Sequence, residues 1–140
     1  MKVSPEHIVI ALKKQALGNV VRFLSMDFLK QVENKFLFTC FFPDETRNPF
    51  GFVQGGMTAA ALDDATAVTV CMQLGGLKVP NSTDIHITYH RPVSVGKASI
   101  EVEVIKLGKQ IVSVQGKLYT QSNKLAATML HTAILLDAPS

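Results

Sequence analysis

Four stretches in the second half of the chain alternate between apolar and polar positions with a period of two. That is the spacing of strands that bury one face. "STDIHITYH" places Ile85, Ile87 and Tyr89 on one side, and "ASIEVEVIKLG" places Ile100, Val102 and Val104 inward with Glu101 and Glu103 outward. "QIVSVQGKLYT" and "KLAATMLHTAILL" follow, with breaks at Leu107-Gly108-Lys109 and Ser122-Asn123 that fit hairpin turns. The first half carries two more strand patterns, 26–33 and 35–42, joined by a turn near Asn34 and followed by a Pro, Asp and Asn-rich loop from Pro43 to Phe52. Between the halves, residues 55–74 are apolar on every side, as in an enclosed helix, and Gly75-Gly76 ends them.

A long apolar helix between a hairpin and a four-strand meander has one economical packing. The antiparallel sheet curls around the helix and buries it, an α+β fold. Ser4-Pro5-Glu6 starts a short N-terminal helix expected within residues 1–18. A strongly curved sheet keeps free edges, and free edges invite pairing with a second chain. The 140 residues suit one domain, expected over 1–140, and 47 % hydrophobic content argues against disorder.

The net charge of +3 comes from scattered lysines, so a nucleic-acid footprint is not expected. The N-terminus lacks the long apolar run of a signal peptide, and no stretch is long and apolar enough for a membrane span. The expected setting is the reduced cytoplasm, with Cys40 and Cys71 as buried free thiols. His7, His86 and His131 lack metal-ligand spacing and read as surface or strand-face residues, and no metal is expected.

The chemistry concentrates in "NPFGFVQGGMTAAALDDATA", residues 48–67. Gly55 and Gly56 open the helix, where backbone N–H groups lack intrahelical partners and the helix dipole is positive. Such a site suits an oxygen that becomes negative during reaction, although close helix–strand packing would use the same glycines. The run is neither GxxxxGK[ST] nor GxGxxG, so a nucleotide loop is poorly supported. Asp63 and Asp64 sit mid-helix with no basic residue three or four positions away. A carboxylate in an apolar cleft is a candidate general base or nucleophile, whereas an acid on an exposed rim would be inert. One of the pair, Asp64, is expected to reach solvent or a polar contact between helices. Gly55 and Asp63 are eight residues apart, about 12 Å along a helix. If they form one site, two antiparallel helices across a twofold axis must supply it.

With those residues in view, the sequence resembles the hotdog-fold acyl-CoA thioesterases of the PaaI-like type. That family carries Asn-x-x-Gly-x-x-His-Gly-Gly with an acid nine residues after the His. Here the run is Asn48-Pro-Phe-Gly51-Phe-Val-Gln54-Gly55-Gly56, with Asp63 in the acid position. The likeness covers residues 20–137. It implies a sheet wrapped around a central helix, and hydrolysis of an aryl- or fatty-acyl-CoA at a dimer interface. It implies that the Gly55 N–H and Asn48 bind the thioester carbonyl and that Asp63 of the other chain acts on the carbonyl carbon. Gly56 belongs to the same element. Ser82 matches a position that helps hold the attacking water in some relatives. His90 and Arg91 lie where relatives place basic residues near the coenzyme A phosphates. A homodimer, often paired into a tetramer, is implied, with no cofactor beyond the coenzyme A of the substrate.

Two positions depart from the family. Gln54 stands in place of His; its amide can donate a hydrogen bond but carries no proton near neutral pH. Ala67 stands where some relatives have Ser or Thr, leaving a hydroxyl only at Thr66. Gln54 keeps a second reading open, a hotdog protein that binds acyl-CoA without cleaving it. A dehydratase would need a His with the acid, and this helix has none.

Overall fold

The computed structural model describes Ser4, Glu6, His7 and residues 20–138. The helix expected within 1–18 therefore lies outside the described residues, those three apart. Ser4 Oγ accepts the His7 N–H at 3.3 Å, the contact a capping serine makes. A single turn, α1 (Val20–Phe23), leads into the sheet.

Alternation decides the strands. β2 (Lys35–Phe42) buries Phe36, Phe38, Cys40 and Phe42 on one face. β4 (Gly96–Leu107) buries Ala98, Ile100 and Val102, and β5 (Ile111–Tyr119) buries Val112, Val114 and Leu118. With β1 (Asp27–Val32), β3 (Lys78–Tyr89) and β6 (Leu125–Asp137) they form one six-stranded antiparallel sheet in the order β1-β2-β4-β5-β6-β3. The outward positions are polar as expected: Glu101 pairs with Lys35 at 2.8 Å, and Glu103 accepts from Asn34 Nδ2 at 2.8 Å. A bulge between Val104 and Lys106 interrupts the β4–β5 register and leaves Val104 only half-buried.

The central helix, α2 (Gly55–Gln73), packs against β3, β5, β4, β6 and β2. Its end is a Schellman turn: the Gly76 N–H reaches the Cys71 carbonyl at 2.9 Å and the Gly75 N–H the Met72 carbonyl at 3.1 Å. Both glycines adopt positive φ, +61° and +78°, where a Cβ would be strained. Threonines on the buried side satisfy themselves: Thr66 Oγ1 donates to the Leu62 carbonyl and Thr69 Oγ1 to the Ala65 carbonyl, each at 2.8 Å. Sheet and helix approach closely at Gly116, where a Cβ would lie 3.0 Å from both Leu62 Cδ2 and Thr66 Cγ2.

This is the hotdog arrangement, with one difference from the expected full enclosure. Asp63, Asp64, Ala67 and Cys71 lie on a flank of α2 that the sheet covers only in part. Beside it runs the edge strand β3, most of whose residues are exposed, Ile85 and Tyr89 included. Among the described residues, no helix is long and apolar enough to cross a membrane, and both cysteines are free thiols.

Candidate active site

The loop before α2 is shaped by Asn48. Its Oδ1 accepts the backbone N–H groups of Phe50 at 3.0 Å and Phe52 at 3.1 Å. With the oxygen held inside the turn, the Nδ2 donors of the amide face away from it. Gly51 makes the turn possible with φ of +90°, and the Val53 N–H ties the loop to the Val93 carbonyl at 2.8 Å. Gln54 then caps α2 through its backbone, its carbonyl accepting from Met57 and Thr58. Its side chain makes no cap hydrogen bond and is exposed. The N–H groups of Gly55 and Gly56 carry no hydrogen bond among the described residues. The Gly55 carbonyl accepts the Tyr89 hydroxyl at 2.8 Å, and a Cβ at Gly55 would come within 3.3 Å of that oxygen. The glycine thus serves both close packing and an open N–H pair.

Asn48 and Gly55 line one open groove of about 400 Å³, together with Phe50, Phe52, Tyr89 and Arg91. A larger cleft of about 640 Å³ shares Phe52, Arg91, Pro92 and Val93 with it and adds Lys97 and Lys124. Three cations and no carboxylate line that cleft. Arg91 Nε donates to the Leu125 carbonyl at 3.1 Å, which anchors the guanidinium and leaves its terminal nitrogens free to point elsewhere. His90 bonds Thr128 Oγ1 through Nε2 at 2.9 Å and does not line the larger cleft.

Asp63 lies two turns further along α2, its side chain 45 % exposed. Within 4 Å of it stands a titratable residue that sequence reasoning set aside. His131 is not on the surface: it is 2 % exposed on the inner face of β6. Its Nε2 meets Ser82 Oγ at 2.6 Å, its Nδ1 meets Thr66 Oγ1 at 2.7 Å, and Asp63 Oδ1 lies 3.8 Å from the same Nδ1. Burial pushes the imidazole below its ordinary value, and the Asp63 and Asp84 carboxylates oppose that shift. A signal for this existed. Ala127, Met129, His131, Ala133 and Leu135 share one strand parity, so a polar residue interrupted an apolar face.

Asp64 also departs from expectation. It does not simply reach solvent: its Oδ2 is buried with no hydrogen-bond partner among the described residues, and burial, helped by the Asp63 charge, raises its carboxyl to about 6. Between its ordinary 3.8 and about 6 the folded chain holds a proton that the unfolded chain has lost. Stability tied to this group is therefore complete below the ordinary value and lost as pH rises through about 6. Asp64→Asn is expected to stabilise the isolated fold by about 1–3 kcal/mol at pH 7 and to change little at pH 4. Thermal unfolding at both pH values checks this. Destabilisation at pH 7 would show that a donor from a second chain already satisfies Asp64.

The candidate residues on one chain therefore fall into two groups. N–H groups and an amide that could polarise a carbonyl stand at the start of α2; a carboxylate with an ordered hydroxyl stands two turns on. A helix wrapped by an antiparallel sheet is the hotdog fold. Residues 50–127, more than half of the chain, match the sequence profile of the Thioesterase superfamily. The chain belongs to that family, which is one of thioester hydrolases. The proofreading thioesterase EntH of Klebsiella pneumoniae is 31 % identical over 91 residues, 64 % of this chain and 66 % of that protein. The chain thus aligns with just under two-thirds of that relative. The thioesterase HI1161 of Haemophilus influenzae superposes with a TM-score of 0.81 at 24 % identity, over 93 % of this chain and 89 % of its own. The PaaI protein of the Escherichia coli phenylacetic acid degradation operon gives 0.80 at 17 % identity, over 96 % and 98 %. Likeness at these identities speaks to the fold alone.

Proposed function

We propose that this protein hydrolyses an acyl-CoA thioester to the free acid and coenzyme A, at a site built by two copies of the chain. The observation that carries the reading is Asp63, a half-exposed carboxylate on the largely apolar α2 of a Thioesterase-superfamily chain. The Gly55 N–H and the Asn48 amide polarise the thioester carbonyl from one copy, with Gly56 and Gln54 beside them. Asp63 and Ser82 of the other copy activate and hold the attacking water. The separation of the half-sites along α2 supports the two-chain arrangement, as does the exposed edge strand β3 on the Asp63 side. A dimer, paired further into a tetramer, is the assembly we infer. The reaction needs no cofactor beyond the coenzyme A of its substrate, and free thiols at Cys40 and Cys71 suit the reducing cytoplasm.

Coenzyme A is favoured as the thiol by the cleft of Arg91, Lys97 and Lys124, which joins the Asn48–Gly55 groove and suits phosphate groups. His90 contributes at the groove alone. The test is free-thiol release from a panel of aryl- and fatty-acyl-CoAs, each beside the same acyl group on pantetheine. Arg91→Ala and Lys97→Ala are each expected to raise KM for the CoA thioester about fivefold, an exposed charge contact of ~1 kcal/mol. Both should leave pantetheine thioesters unaffected. Equal effects on both substrates would remove the phosphates from that cleft. Saturable acyl-CoA binding without thiol release would favour the binding protein that Gln54 leaves open, and Gln54→His would then be the variant to assay.

A further inference from the structure

We propose that His131 is a positioning residue of this site: a neutral imidazole that fixes the Ser82 hydroxyl as a hydrogen-bond donor, so that only its lone pairs face the hydrolytic water. The inference rests on the hydrolytic reading above and extends it to a residue without an assigned role.

The proton count follows from the contacts. Thr66 Oγ1 has one proton and two helix carbonyls in reach, Leu62 at 2.8 Å and Asp63 at 3.0 Å. With that proton given to the helix, Thr66 can only accept from His131 Nδ1, 2.7 Å away. The Asp63 carboxylate on the same side, 3.8 Å from Nδ1, also favours a proton there. A neutral ring protonated at Nδ1 has its lone pair at Nε2, so Ser82 must donate across the 2.6 Å contact. Ser82 Oγ then has only acceptor capacity left. A water between Ser82 and Asp63 can give one proton to each and keep a lone pair for the carbonyl.

Protonating His131 reverses this. A charged ring donates from both nitrogens, Ser82 turns to accept, and its own proton swings toward the water. The groups facing the ring are Asp63 and Thr66 from α2 and Ser82 from β3, with the Asp84 charge acting from the same strand, while β5 presents Val114. Burial outweighs the two carboxylates and keeps the ring neutral at pH 7. Activity that depends on the neutral ring falls as pH drops below the ordinary histidine range of about 6.5.

Three variants separate positioning from packing. His131→Gln keeps an acceptor for Ser82 but does not titrate. It is expected to hold kcat within about threefold at pH 7.5 and to move the acid limb of the kcat profile to lower pH. His131→Leu and Ser82→Ala should each lower kcat about tenfold or more, with KM within about twofold, and together no further. Equal losses in the Gln and Leu variants with an unmoved acid limb would overturn the proposal, as would unchanged kcat in a folded His131→Leu. Should the Leu variant fail to fold, nitrogen NMR of the wild-type ring decides: Nδ1–H at pH 7.5 supports the proposal, and Nε2–H or a charged ring overturns it. The ring measurement does not depend on turnover, so failure of the hydrolytic reading would be seen separately, as acyl-CoA binding by the wild-type protein without thiol release.

Discussion

Asp63→Asn is expected to lower kcat for the best acyl-CoA substrate by at least about 100-fold, the range for loss of a general base. The substitution keeps the shape of the side chain and removes only its charge and basicity. The neutral His131 ring, its Nδ1 3.8 Å away, would face an amide oxygen instead. Because the side chain is 45 % exposed, no buried polar group is orphaned and the fold should persist. Thiol release measured beside far-ultraviolet circular dichroism and the oligomeric mass would establish both halves of this result. Turnover within a few-fold of wild type would remove Asp63 from the chemistry. Direct attack by Asp63 would also be abolished by Asn, so the two roles need a different experiment. A single turnover in oxygen-18 water places label in the product acid if Asp63 acts as base. Label in the Asp63 carboxyl would identify it as the nucleophile, with water opening the mixed anhydride at the protein side.

Gly116→Val should be the most damaging small change away from the reacting groups. The Cβ of any larger residue at Gly116 would lie 3.0 Å from both Leu62 Cδ2 and Thr66 Cγ2, and valine adds two further methyl groups in the same space. Leu62 is fully buried, and Thr66 is held by its own hydrogen bonds to the helix and to His131, so neither can yield freely. The relief available is to push α2 off β5. Overpacking of this kind costs about 1–3 kcal/mol, and more where no rotamer escapes. Leu62 and Thr66 bracket Asp63 on the helix, so the displacement also moves the carboxylate against Ser82 and His131. Chemical denaturation should show a lower midpoint, and kcat should fall even where the variant remains folded. A midpoint and kcat both equal to wild type would mean that the sheet can flatten at Gly116 without loss.

Much of this architecture was legible along the chain. Period-two alternation located β4, β5 and β6, because a strand with one buried face has no other way to place its side chains. Gly75-Gly76 marked the end of α2, because only residues free of a Cβ adopt the two positive φ values of that turn cheaply. Asn48, Gly55 and Asp63 stood out because their spacing on one loop and one helix is local. The family resemblance rested on the same local run.

What the sequence by itself determined was therefore everything that depends on near neighbours: elements, caps, inward faces and the spacing of the candidate residues Asn48, Gly55 and Asp63. Only the tertiary structure decided which of those faces meet. The β3–β6 register sets Ile85 opposite His131 and Ser82 opposite Ala133, while β5 lies on the other side of β6. That register, with α2 pressed onto the sheet at Gly116, brings Thr66 and Ser82 to the His131 imidazole. It likewise buries one oxygen of Asp64 while Asp63, its neighbour in the chain, stays half-exposed. Burial and long-range hydrogen bonding are properties of how surfaces meet, and no periodicity within a single element encodes them.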